Sequence, residues 1–412
     1  MIVQRVEKHI IKKTNTYYNI IDKYCFNAKN LYNHANYIVR DVFCKENKWI
    51  RYGELDKILK ADLEFDDYKQ MPTAQSAQQI LKLIDRNWNS FFKAIKDWSK
   101  NKDKYLGRPK LPNYKKKDSR GVLILTNQNV RLKDNILYFP KTFKGFTVKT
   151  LCDTKNNFVS FQQVRFIPKY NHIILEVVCN IEVQEQVNDN GRYLSIDVGV
   201  DNLATVVNNF GKQPFIINGK GLKSINKYYN KQMSHYQEIS KRVNSQYQTN
   251  RLNSIIDKRN HKIEDYMHKA SRYVVNYALN NNVSVIVIGK NSGWKQEVNL
   301  GKVTNQTFVQ IPFARLIEMI TYKALEFGIA VLTHEEAYTS GTSYLDGEQP
   351  IKKNYNKKRR VHRGLFKSNT GKLINADVNG AYQIMKKVFP NAISNGIEGV
   401  ALHPFVVNAF AV

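Results

Sequence analysis

The rhythm of apolar positions changes several times along the chain. Ile2, Val6 and Ile10 alternate loosely within residues 1–12, which predicts a strand. Between Tyr17 and Val42 the spacing lengthens: Ile21, Tyr24, Ala28, Leu31, Ala35 and Val39 recur at steps of three and four, the stripe of a helix. A second stripe, Ile80, Leu83, Ile84, Trp88, Phe91 and Phe92, predicts a helix over roughly Ala74–Trp98. The segment Lys102–Lys117 then breaks the pattern with Gly107, Pro109 and Pro112 among many lysines, and reads as a linker or exposed arm.

Short alternating runs dominate from Gly121 to Val183, separated by Asn135, Lys144-Gly145 and Asn156-Asn157. They predict a small antiparallel barrel or sandwich. After the polar patch Gln184–Gly191, strands are expected at Tyr193–Asp197, Leu203–Val207 and Pro214–Ile217, close enough for an antiparallel meander. A long basic helical region, about Leu222–Leu279, precedes a buried strand at Val283–Ile288. The next helix has Pro312 in its first turn and stops at Gly328, the usual asymmetry of helix ends. Strand Ile329–Thr333 and a helix over Val378–Val388 complete the series. Three antiparallel strands, a helix, then parallel strands separated by helices is the order of an RNase H-like domain.

Composition is that of a folded protein: 412 residues, 42% hydrophobic and 24% charged. Charge departs from the ordinary, because 64 Lys and Arg against 35 Asp and Glu leave a formal +29. A polyanion would neutralise that excess, and nucleic acid is the first candidate. No apolar stretch is long enough to span a membrane, and the N-terminus shows no signal-peptide hydrophobic region. Four widely spaced cysteines, Cys25, Cys44, Cys152 and Cys179, give no CxxC pair, so neither a disulfide scaffold nor a zinc ribbon is expected. A cytoplasmic protein is the expectation, prokaryotic and nucleoid-associated when bound to DNA.

An RNase H-like nuclease gathers acidic residues at the carboxyl ends of neighbouring strands, where they hold two Mg²⁺ ions, one activating water and one stabilising the leaving oxygen. Asp197, in YLSIDVGVDNLATVV, follows an apolar strand and precedes Gly199, which admits a phosphate close to the backbone. An aspartate there also serves as an ordinary turn residue. Asp377, in LINADVNGAYQI, opens a helix and is a candidate helix cap as well as a metal ligand.

Taken together, YLSIDVGVDNLATVV, EEAYTS, GKLINADVNGAYQIMKKVFP and IEGVALHP resemble the RuvC nuclease region of the transposon-encoded TnpB family, compact relatives of the type V CRISPR effectors. The resemblance covers about 191–404 and is architectural only before that. It implies a bilobed α/β-plus-β-barrel chain: residues 1–12 as first strand of a wedge barrel, 13–105 a helical recognition lobe, and 106–190 the rest of the barrel with a basic linker. Residues 191–390 would form the RuvC domain, with an insertion at about 338–372, and 391–412 a tail. It further implies an RNA-guided, Mg²⁺-dependent DNA endonuclease, with Mn²⁺ as an alternative ion. The guide RNA would derive from the transposon end, the target would be double-stranded DNA beside a short motif, and the ribonucleoprotein would hold one copy of the chain.

Two departures from the family pattern matter. Relatives place a glutamate after the strand that here is VSVIVI, where this chain has Gly289-Lys290-Asn291. The neighbouring strand leads into His334-Glu335-Glu336, so a glutamate there would serve the same site; Glu336 is favoured over Glu335, and alternation sends only one of them inward. Glu297 is a weaker substitute. The expected metal set is therefore Asp197, Glu336 and Asp377. The second departure is the absence of the family's cysteine pairs from the insertion, which is expected to fold without zinc or to stay mobile until nucleic acid binds.

Basic residues cluster at Arg108, Lys110, Lys115, Lys116 and Lys117, along the helical region after Lys220, and at Lys357, Lys358, Arg359, Arg360 and Arg363. These are the expected contacts to a guide–target duplex, whose phosphates the protein reads while base pairing reads sequence. Two other functions fit the residues: an RNA-guided DNA-binding repressor that has lost cleavage, and a guide-independent transposase or resolvase of the same fold.

Overall fold

The computed structural model describes residues 1–154, 157–244, 249–291, 301–362, 364–392 and 403–409. The chain divides into two compact units, Ile2–Glu182 and Val183–Val412, with Met1 joined to the second. Together they make a mixed α/β fold.

The first unit begins with β1 (Ile2–Lys12), followed by α1 (Tyr18–Glu46), α2 (Tyr52–Ala61) and α3 (Ala74–Lys100). Of the stripe foreseen for α1, Ile21, Ala28, Leu31, Ala35 and Val39 are buried against Ile80, Ile84 and Trp88 of α3, whereas Tyr24 is only half-buried and Cys25 beside it is buried. Burying an indole needs a partner for its N–H, and Trp88 Nε1 donates to Asn36 Oδ1 at 3.0 Å. Thr73 starts α3 with a reciprocal capping box to Ser76. The helix α2 has no counterpart in the sequence reading.

Strands β2 (Leu123–Thr126), β3 (Arg131–Lys133), β4 (Ile136–Tyr138), β5 (Thr147–Lys149), β6 (Phe158–Pro168) and β7 (His172–Glu182) follow. The expected barrel is corrected here: among the described residues these strands form an open four-stranded sheet, β1-β7-β6-β2, and a separate three-stranded one, β3-β4-β5. Closure would need β2 to pair with β1, yet β2 has four residues and β1 eleven, all of them laddered to β7. A tight turn also joins β3 directly to β4. Asp134 and Asn135 both have positive φ, the conformation that joins two strands through two residues. The segment after α3 is not a free arm: Lys29, Asn33 and Asn36 of α1 donate to the carbonyls of Lys117, Lys115 and Pro112 and strap it down.

In the second unit, β8 (Tyr193–Val198), β9 (Asn202–Asn208) and β10 (Phe215–Asn218) form the expected meander. The long basic region is two helices, α4 (Lys220–Asn244) and α5 (Asn250–Asn280). Then come β11 (Val285–Gly289), α6 (Lys302–Gln310), α7 (Phe313–Leu325) and β12 (Ala330–His334). Pro312 sits just ahead of α7, and Gly328, at φ +73°, follows it. The insertion folds as a small antiparallel sheet of β13 (Arg360–His362), β14 (Leu365–Lys367) and β15 (Leu373–Asn375), which leads into α8 (Ala376–Val388). From the segment read as a tail, β16 (Phe405–Val407) pairs in parallel with β10.

The main sheet runs β12-β11-β8-β9-β10-β16, with β8, β11 and β12 parallel. Its central strands are covered on both sides, so alternate residues enter different cores. Leu194, Ile196, Ile286 and Ile288 pack with α5 and α7, whereas Tyr193, Val285 and Val287 pack with α8. Asp197 shares the parity of Tyr193 and faces α8. No described helix is long and apolar enough to cross a membrane.

Candidate active site

Three segments far apart in the chain meet where β8, β12 and α8 come together. Asp197, Glu336 and Asp377 line one cavity of about 560 Å³, with Asn291, Tyr338 and Arg360 around them. Asp377 does not cap its helix. Asn375 does, its side-chain oxygen accepting from the backbone N–H of Asp377 at 3.0 Å and of Val378 at 3.2 Å. The Asp377 carboxylate is thereby left for other partners: Oδ2 accepts from Asn202 Nδ2 at 2.6 Å, and Oδ1 lies 3.4 Å from the Arg360 guanidinium.

Glu336 stands two residues beyond β12. Asn291, just past β11, grips it twice: its Nδ2 donates to Glu336 Oε1 at 2.9 Å, and its Oδ1 accepts from the Glu336 backbone N–H at 3.1 Å. The other carboxylate oxygen, Oε2, is buried without a partner. Gly289 provides its space, because a Cβ there would stand 2.8 Å from Oε2 and 2.6 Å from Ile384 Cδ1. The missing side chain at the end of β11 and the glutamate arriving from β12 are one steric arrangement. Glu335 is exposed and does not line the cavity; its backbone carbonyl accepts from Lys387 Nζ at 3.1 Å. Glu297 lies outside the described residues.

Asp197 is packed just as closely. A Cβ on Gly380 of α8 would fall 2.8 Å from Asp197 Oδ2, so the glycine lets the helix approach the carboxylate. Burial, then repulsion from Asp377 and Glu336, holds the Asp197 carboxyl well above the usual carboxylate range, with Arg360 opposing. Burial pushes Glu336 up to about 7, and Lys387 only partly offsets it. The cavity is short of positive charge.

A hard divalent cation matches such a donor set: carboxylate oxygens only, one of them buried and unpartnered, in a space that two glycines keep open. As they stand, no three Asp, Glu, His or Cys side chains among the described residues are gathered tightly enough to hold one ion. Both oxygens of Asp377 are engaged by Asn202 and Arg360.

Two family models match the chain. Residues 176–295 match OrfB_IS605, described as a probable transposase, and residues 313–384 match the Cas12f1-like TNB domain. Both matches are consistent with a TnpB-like family. The candidate site is divided between the two matches: Asp197, Gly289 and Asn291 lie in the first, Glu336, Arg360, Asp377 and Gly380 in the second. No curated protein gives a significant match. Among solved structures it is similar to a Cas12f1–sgRNA–target DNA complex, at 15% identity over 93% of this chain and 98% of that one, with a TM-score of 0.37. The mini-RNA-guided endonuclease CRISPR-Cas_phi3 gives 9% identity over 97% and 92%, with a TM-score of 0.42. C2c1 of Alicyclobacillus acidoterrestris with its single-guide RNA gives 9% over 90% and 67%, with a TM-score of 0.39.

The basic residues read from the sequence are not equivalent in the structure. Arg108, Lys110, Lys116, Lys117, Lys357 and Lys358 are exposed. Lys115 is half-buried, its ammonium 4.8 Å from the centre of the Tyr32 ring. Arg359 is engaged inside the insertion by a 2.5 Å ion pair with Glu348, and so is not the free phosphate contact its place in the basic run suggests. Arg360 turns to Asp377. Arg363 lies outside the described residues. Sequence reading missed Asn202 and Asn291 as carboxylate partners. The loss of the expected glutamate at Gly289 was the one signal pointing near the second.

Proposed function

We propose that this chain is an RNA-guided DNA endonuclease of a transposable element, with Asp197, Glu336 and Asp377 as the acidic centre of an RNase H-like, RuvC-type nuclease domain. The observation that carries the reading is the meeting of these three carboxylates in one cavity. They arrive from a β8 side chain facing α8, a loop after the parallel neighbour of β11, and the first turn of α8. The resemblance to the TnpB family, with the two family-model matches, supports a guide RNA from the transposon end and a double-stranded DNA target as partners.

Asp197, Glu336 and Asp377 would hold Mg²⁺, or Mn²⁺ in its place, which when bound supplies an activated water and charge for the leaving oxygen. Asn291 orients Glu336 through two hydrogen bonds, and Asn202 orients Asp377. Arg360 lines the same cavity and is positioned to meet a phosphate that enters it. Asp197, Asp377 and Glu336 repel one another, so loss of one carboxylate should leave the fold intact while removing the chemistry.

The test uses purified protein with its copurifying RNA and a plasmid bearing a matching site. The expected result is cleavage that chelation abolishes and that Asp197→Ala, Asp377→Ala and Glu336→Gln each reduce at least about a hundredfold. Native-rate cutting by Asp197→Ala would overturn the assignment. Guide-dependent binding without cutting would make the chain a repressor, and full activity in an RNA-free preparation would make it a guide-independent enzyme.

A further inference from the structure

A second cavity, of about 490 Å³, opens between α4 and α5, away from the carboxylates. Its size is that of a small-molecule or single-residue pocket. Ile225 and Ile255, half-buried, give it an apolar lining, and Tyr228, 65% exposed, lines it as well. Four cations line it, Arg251, Lys258, Arg259 and Lys262, and no carboxylate does.

The four cations divide into two kinds. Both arginines have partners of their own. Arg259 donates to Asn226 Oδ1 at 2.9 Å and to the Gln310 carbonyl at 2.8 Å, with its guanidinium 5.4 Å from the centre of the Tyr229 ring. Arg251 lies 4.9 Å from the centre of the Tyr236 ring and donates to its hydroxyl. Lys258 and Lys262, one turn apart on α5, are exposed and engaged by no carboxylate among the described residues. An exposed aromatic ring and apolar side chains lining one cavity with unneutralised ammonium groups match a base and its phosphate, because stacking is indifferent to base identity while the cations take the backbone.

We propose that the α4–α5 cavity holds an unpaired nucleotide of a nucleic-acid strand, its base against Tyr228 and its phosphate on Lys258 and Lys262. This rests on the nucleic-acid reading above but not on cleavage. A paired base presents no free face to Tyr228, so the site discriminates single strands and bulges from continuous duplex.

The test measures binding by the full-length chain, freed of copurified RNA and kept in chelator so that nothing is cut. Probes are fluorescent 20-nucleotide RNA, DNA of the same sequence, and a blunt DNA duplex. Tyr228→Ala is expected to weaken single-strand binding about tenfold and leave duplex binding unchanged, and Tyr228→Phe to bind as the native chain does. Lys258→Gln with Lys262→Gln should lower the slope of log affinity against log salt by about 1.4 for single strands. A defect confined to RNA identifies the occupant as guide, and one confined to DNA as a target strand. A strand containing 5-iodouridine should crosslink to Tyr228 on irradiation. Equal loss on strand and duplex, or no loss with Tyr228→Ala, overturns the pocket alone. Failure of the native chain to bind any probe overturns the nucleic-acid reading with it.

Discussion

At the scale of single residues, two glycines shape the candidate site more than any basic residue does. Gly289 leaves the space that the Glu336 carboxylate occupies, and Gly380 lets α8 close on Asp197. Adding a methyl group at position 380 sets two effects against each other. Alanine favours a helix interior over glycine by about 1 kcal/mol, but its Cβ would stand 2.8 Å from Asp197 Oδ2 and displace it. Gly380→Ala should therefore keep or raise the unfolding temperature while reducing plasmid cleavage about tenfold or more, since small misplacements of reacting groups are costly. A variant that melts lower and cuts normally would contradict this account. The two aspartates were legible from their motifs, and the favoured glutamate was Glu336. That Glu336 lines the cavity while Glu335 lies outside depends on how the chain turns after β12, which local pattern does not encode.

At the scale of elements, apolar stripes placed α1, α3, β8, β9, β11 and β12 with small errors at the ends. The break within the basic region was not legible, because α4 and α5 continue the same charge pattern across it. Lys323 on α7 illustrates what packing adds. Its ammonium is buried between helices, donating to the His268 carbonyl at 2.8 Å and to Ser271 Oγ at 2.6 Å, and burial lowers its pKa to about 8. The unfolded chain holds that proton up to about 10.5, so between these values the unfolded state binds more protons and stability rises with pH. Lys323→Met should raise the unfolding temperature at pH 7 by a few degrees and reduce the gain between pH 8 and pH 10, as followed by thermal melts. If native and variant gained equally over that range, Lys323 would not be the titrating group.

At the scale of the whole molecule, net charge governs what the surface binds. A formal +29 predicts tight, sequence-indifferent binding to nucleic acid that weakens steeply with salt. Raising NaCl from 50 to 200 mM should lower the affinity for a random DNA duplex by about a thousandfold, measured by fluorescence anisotropy. A tenfold change or less would mean that few of the exposed lysines meet phosphate. Removal of Lys357 and Lys358 should flatten that dependence, whereas removal of Arg359 should act first on the fold of the insertion, where its partner is Glu348.

The order of strands and helices, the apolar faces, the two aspartate motifs and the excess of positive charge were all determined by the sequence alone, because each is a local or additive property. Tertiary structure decided the rest. It left the first unit's sheet open, ran β1 along β7 from the far end of that unit, and brought β16 back beside β10. It also selected the glutamate that faces Asp197 and engaged Arg359 with an acid while leaving Lys258 and Lys262 unengaged. Each of these outcomes depends on which groups, remote along the chain, compete for the same space or the same charge, and that competition exists only once the chain has folded.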